Sequence, residues 1–183
     1  VTARQRGPLV RSAALAAASL AAFAALAGCR LSTSGAPITT ASDVAVGDCL
    51  TVGTGLIDAR KSTCDTDAKL TFYAASIVGR SGDCTRDSSA YLFEGPSLDF
   101  DGDGDKVCLT PNLAVSSCYQ IPLPSGKLTD FRKVECGTPA AASTVVSKLV
   151  ERAEADVVCT GDTMKWAFTE PSSIGYCLSD TNP

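Results

Sequence analysis

The chain predicts an α+β architecture of two small disulfide-stapled modules in tandem, each an antiparallel sheet with a short helix. Three observations predict it. Eight of the nine cysteines fall into two sets of four, the residues around corresponding cysteines agree, and short apolar runs alternate with turn-rich loops.

The first set is Cys49, Cys64, Cys84 and Cys108, with gaps of 15, 20 and 24. The second is Cys118, Cys136, Cys159 and Cys177, with gaps of 18, 23 and 18. Spacing alone is a weak sign of duplication, but the contexts match. Gly47-Asp48-Cys49-Leu50 corresponds to Ser117-Cys118-Tyr119, and Lys61-Ser62-Thr63-Cys64 to Lys133-Val134-Glu135-Cys136. Cys84-Thr85-Arg86-Asp87 answers Cys159-Thr160-Gly161-Asp162, and Val107-Cys108-Leu109 answers Tyr176-Cys177-Leu178. Module boundaries are expected at 44–113 and 114–183. The join around 110–117 is too short for free motion of one module against the other.

Within each module the expected order is strand, strand, strand, short helix, strand. Apolar runs at 70–78 and 144–150 read as the third strands. Two helical turns are expected at 88–94, burying Tyr91 and Leu92, and at 163–168, burying Trp166 and Phe168. Four cysteines admit three connectivities, all open to the sequence. The sequential one is adopted as the expectation: Cys49–Cys64, Cys84–Cys108, Cys118–Cys136 and Cys159–Cys177. The first pair would staple a hairpin and the second would pin the helix to the final strand, each closed loop contributing about 3 kcal/mol. Zinc ligation fits poorly, because no two cysteines lie two to four residues apart and the chain has no histidine.

Ahead of the modules, Arg4, Arg6 and Arg11 precede an Ala-rich apolar stretch at 13–27, shorter than the ~20 residues a membrane span needs. It ends in Leu26-Ala27-Gly28-Cys29, which resembles the lipobox of bacterial lipoproteins. The resemblance implies a signal peptide over 1–28, cleavage after Gly28, and a diacylglyceryl group on the Cys29 thiol. Two or more acyl chains would anchor the protein stably. The Ser-, Thr-, Gly- and Pro-containing segment that follows completes a lipidated N-terminus and tether at 29–43.

From Cys29 onward, thirteen basic residues stand against twenty acidic ones, a formal charge near −7. Such a surface repels phosphate backbones and gives no polybasic grip on anionic lipid, so nucleic acid is not an expected partner.

The Val46-Gly47-Asp48-Cys49 opening, the four-cysteine module and the lipobox together resemble the LppU-type lipoproteins of mycobacteria and related actinobacteria. The module is also similar to the septum-formation-type domain of such envelope proteins. Modules of that family often carry a histidine in a Cys-x-x-Pro-His setting. Here Cys136-Gly137-Thr138-Pro139 keeps the frame with Ala140 in the histidine's place, and Cys64-Asp65-Thr66-Asp67-Ala68 lacks both proline and histidine. The resemblance implies location in the cell envelope and names no reaction.

Without histidine there is no Ser-His or Cys-His pair. The run Asp99-Phe100-Asp101-Gly102-Asp103-Gly104-Asp105 opens like a calcium loop, but Thr110 stands where a bidentate glutamate belongs. Asp99, Asp101, Asp103 and Asp105 therefore read as an Asp-Gly turn rather than a metal site. Trp166 and Tyr176 are candidates for lining a ligand cleft, against the plainer reading that they form core. No cofactor is expected. The function expected is a non-catalytic binding or interaction module, lipid-anchored on the extracytoplasmic face of the cell membrane, meeting an envelope protein, peptidoglycan or lipid. The alternatives are a carrier of a lipid or small apolar ligand and a carboxylate- or metal-dependent envelope hydrolase.

Overall fold

The computed structural model describes residues 34–53, 58–67, 69–84, 97–100, 104–123 and 127–181. The segment 1–28 read as a signal peptide, with Gly28, and the expected lipidation site Cys29 lie outside the described residues, as does the helix expected at 88–94 with Tyr91 and Leu92.

Two antiparallel five-stranded sheets follow one another along the chain. The first is built from β1 (Cys49–Thr51), β2 (Arg60–Ser62), β3 (Thr71–Gly79), β4 (Ser97–Asp99) and β5 (Asp105–Asn112). The second is built from β6 (Cys118–Pro122), β7 (Arg132–Val134), β8 (Thr144–Ala153), β9 (Thr163–Phe168) and β10 (Ile174–Asp180). Their strand orders, β2-β1-β3-β5-β4 and β7-β6-β8-β10-β9, are the same.

The repeat extends to single hydrogen bonds. Before β1, the Gly47 amide donates to Ala74 O (2.8 Å), the Asp48 amide to Ala45 O (2.9 Å) and the Ala74 amide to Asp48 O (2.8 Å). Before β6, the Ser116 amide donates to Leu149 O (2.8 Å), the Ser117 amide to Ala114 O (3.3 Å) and the Leu149 amide to Ser117 O (2.9 Å). Gly47 takes φ +91°, which costs glycine nothing, whereas Ser116 takes φ 68° at the equivalent place. Each module also shifts register beside its second disulfide. Ala75 is skipped between the pairs Ala74–Leu109 and Ser76–Cys108, and Val150 between Leu149–Leu178 and Glu151–Cys177. An extra residue there bends the long strand and strengthens its twist.

The pairing is sequential: Cys49–Cys64, Cys84–Cys108, Cys118–Cys136 and Cys159–Cys177. Cys49 and Cys118 sit on β1 and β6 opposite Ser62 and Val134, two residues short of their partners, so the first bridge of each module closes a short hairpin.

One expectation is overturned. The segment 163–168 is not helical; it is the edge strand β9, paired with β10 from Ile174–Phe168 to Ser179–Thr163. Six residues are too few to hold a helix without strong tertiary support, while pairing with β10 satisfies the backbone directly. Met164, Trp166 and Phe168 recur with period two, the strand period, and the aromatic pair enters the core from that face. Among the described residues the helical elements are two 3-10 turns, Ala41–Asp43 and Leu128–Asp130, so the described part is all-β.

Both modules contribute to one apolar core, in which Leu50, Phe72, Leu98 and Leu109 meet Tyr119, Ile121, Leu149, Trp166 and Leu178. An aromatic row runs through it. Phe72 meets Phe131 edge-on at 5.5 Å, Phe131 stacks on Trp166 at 5.9 Å, and Trp166 reaches Phe168 at 5.0 Å.

Where the repeats diverge, the second module grips the first. In the first module Lys61 pairs with Asp48 at 3.3 Å. Ser117 replaces that aspartate in the second, and the equivalent Lys133 reaches across to donate to Thr66 O and Asp67 O, both at 3.0 Å.

Candidate functional site

The feature with most chemical content is a cleft of about 560 Å³ bordered by residues from both modules. The turn at Val46 and Gly47 and the β3 residue Tyr73 come from the first module. Arg152 near the end of β8, Glu154 just beyond it, Pro171, Ser172 and Ser173 ahead of β10, and Ile174 at its start come from the second.

Arg152 is the fixed point of this cleft. Its Nη1 donates to Asn112 Oδ1 (2.9 Å) and Leu113 O (2.8 Å), and its Nη2 donates to Tyr73 Oη (3.2 Å). Asn112 is itself held, since its Nδ2 donates to Cys64 O and Thr71 Oγ1, both at 3.0 Å. A guanidinium clamped in this way loses little side-chain freedom when it meets a ligand.

Two more tyrosine hydroxyls surround the same junction. Tyr119 Oη accepts the Ala114 amide (2.8 Å), and Tyr176 Oη donates to Pro111 O (2.6 Å). Burial pushes both hydroxyls above the usual phenol range, and the Arg152 charge only partly offsets it. Both stay neutral hydrogen-bonding groups at physiological pH.

The residues singled out from the sequence fall elsewhere. The eight cysteines are structural staples. Trp166 and Tyr176 do not line a cleft: they are 2% and 0% exposed, inside the shared core. The Trp166 Nε1 is buried without a hydrogen-bond partner among the described residues. In the acidic run, Asp99 lies opposite Lys106 across the β4–β5 ribbon, and Asp105 is the next residue along β5. Side chains alternate along a strand, so Asp99 and Asp105 point to opposite faces and do not converge. Asp101 and Asp103 lie outside the described residues. Among the described residues no three His, Cys, Asp or Glu side chains are grouped as metal ligands.

Among the described residues two carboxyls are held below the usual range, both by structural partners. Asp43 accepts the amides of Thr39 (2.8 Å) and Thr40 (3.0 Å), and Lys165 hydrogen-bonds to Asp156. Neither borders the Arg152 cleft.

Arg152 is the residue that sequence reasoning missed. In Glu151-Arg152-Ala153-Glu154 it looks like one charge in an exposed strand end. Its partners lie 39, 40 and 79 residues away, so no local pattern marks it.

Fold and cleft together define a two-module, disulfide-stapled β protein with a polar cleft where the modules meet. No family model matches the chain, and neither a curated protein nor a solved structure matches it significantly.

Proposed function

We propose that the protein is a non-catalytic binding module of the bacterial cell envelope, held on the extracytoplasmic face of the membrane by lipid on Cys29. The observation that carries this reading is the cysteine arithmetic. The eight cysteines from Cys49 to Cys177 are taken by one another in four bridges, which leaves Cys29 of the nine without a cysteine to pair with. Four structural bridges suit an oxidising compartment outside the cytoplasm, and the odd cysteine stands in Leu26-Ala27-Gly28-Cys29. The LppU-type resemblance agrees with both points. Binding rather than catalysis is favoured because, among the described residues, the cleft presents a clamped guanidinium, hydroxyls and one carboxylate, with no nucleophile paired to a base.

The carrier alternative is disfavoured by the filled aromatic row between the sheets, where an apolar cargo would have to sit. The hydrolase alternative needs converging carboxylates, and among the described residues Glu154 alone supplies a carboxylate to the cleft.

The test is metabolic labelling of the full chain with an alkyne fatty acid in a bacterial host, followed by membrane fractionation. Wild type is expected to carry label and sediment with membranes, and Cys29→Ser to lose both. Equal fractionation of the two without label on either would overturn the anchor.

A further inference from the structure

We infer that the Arg152 cleft binds a small α-carboxylate, that of a free amino acid or of a short peptide's C-terminal end, with the ligand's ammonium turned toward Glu154. This deepens the binding reading given above and rests on it for the cleft alone, not for the lipid anchor.

All three acceptors on Arg152 are neutral: an amide oxygen, a backbone carbonyl and a phenol. Among the described residues the ion pairs are Lys61–Asp48 and Lys165–Asp156, and neither involves Arg152. A half-buried guanidinium with no carboxylate partner among the described residues, in a chain with an excess of acidic residues, is a standing attraction for an anion.

A guanidinium carries five N–H donors, and the three contacts use both on Nη1 and one on Nη2. The Nε–H and the second Nη2–H remain, and Nε and Nη2 share one edge of the planar fork. That edge matches the two oxygens of a carboxylate. The contacts to Asn112, Leu113 and Tyr73 hold the fork in place before any ligand arrives.

Glu154 borders the same cleft, so among the described residues the site carries one positive and one negative side chain. A dianionic phosphate would meet repulsion from Glu154, whereas a zwitterion finds a partner for each charge. The hydroxyls of Ser172 and Ser173 add donors and acceptors for the polar backbone of such a ligand. At about 560 Å³ the cleft has room for a dipeptide.

The experiment is an NMR titration of the isotopically labelled full chain with its disulfides intact, following the Arg152 Nε–Hε resonance. The probes are alanine, the dipeptide Ala-Ala, its C-terminal amide and inorganic phosphate. Ala-Ala is expected to shift the resonance saturably, and the amide to leave it unmoved. If alanine binds as well as Ala-Ala, the free amino acid is the natural source; if only the dipeptide binds, the source is a peptide end. Either result supports the site.

Glu154 is exposed, so Glu154→Gln is expected to keep the fold. It should tighten phosphate about threefold by removing an exposed like charge, and weaken Ala-Ala. Arg152→Lys keeps the charge without the fork and should weaken Ala-Ala about tenfold, with thermal unfolding as the control for folding. Equal binding of acid and amide, tighter binding of phosphate than of Ala-Ala by wild type, or no shift at tens of millimolar would overturn the proposal. None of these outcomes touches the lipid anchor, which the Cys29 labelling decides separately.

Discussion

The Tyr176 hydroxyl, on β10 of the second sheet, donates a 2.6 Å hydrogen bond to the Pro111 carbonyl on β5 of the first. Both residues are buried, so the bond joins the modules where water cannot replace it. Tyr176→Phe keeps the ring and leaves the carbonyl short of its donor. It is expected to cost about 1–3 kcal/mol in chemical unfolding, and Tyr176→Ala about 3–5 kcal/mol through the added cavity.

The duplicated turn before the first strand of each module supplies a matched pair of substitutions. Gly47 and Ser116 occupy equivalent places, make equivalent amide bonds and share positive φ, yet only one is glycine. Both are exposed, so packing barely enters. Ser116→Gly is expected to stabilise the protein by about 0.5–1 kcal/mol, the left-handed strain relieved less the entropy glycine adds to the unfolded chain. Gly47→Ala should destabilise it by about 1 kcal/mol. A pair of thermal melts reads both signs.

Each disulfide closes a loop of 15 to 24 residues, for which chain entropy assigns about 3 kcal/mol. Replacing both cysteines of the Cys118–Cys136 bridge with serine is expected to lower unfolding free energy by about that amount. Intact mass of the unreduced protein should fall short of the reduced mass by eight hydrogens, two for each of the four bridges.

Acid should act partly through Asp43. The Thr39 and Thr40 amides favour its carboxylate and hold its folded pKa below the ordinary 3.8. A group depressed in this way adds stability above the unfolded pKa and loses it as pH falls through the folded one. Asp43→Asn is therefore expected to melt earlier than wild type near neutral pH, with the gap closing below about pH 3.8. A gap that stays constant across that window would show that the carboxylate's charge is not what holds the Ala41–Asp43 turn.

How much of this was legible depends on the range of the interactions involved. The third strands of both modules were visible as apolar runs, because β3 and β8 are long and buried enough to impose their composition. The six residues of β9 were misread as helical turns, because a segment that short carries both periods and only its pairing with β10 decides between them. The acidic run read as a turn, and the register of Asp99 against Lys106 places its two described carboxylates on opposite faces. Trp166 and Tyr176 were visible as important aromatics, but not as core rather than cleft, since burial depends on the facing sheet.

By itself the sequence determined the duplication and the two cysteine sets, because both are local: a strand pattern and a cysteine context repeat within each module. Tertiary structure chose one connectivity of three, turned β9 into an edge strand, and sent Lys133 across to Thr66 and Asp67 where its counterpart Lys61 stays within its own module. It also made Arg152 a site. That residue acquires its role from Tyr73, Asn112 and Leu113, which lie up to 79 positions away and are brought beside it only when the two modules share one core.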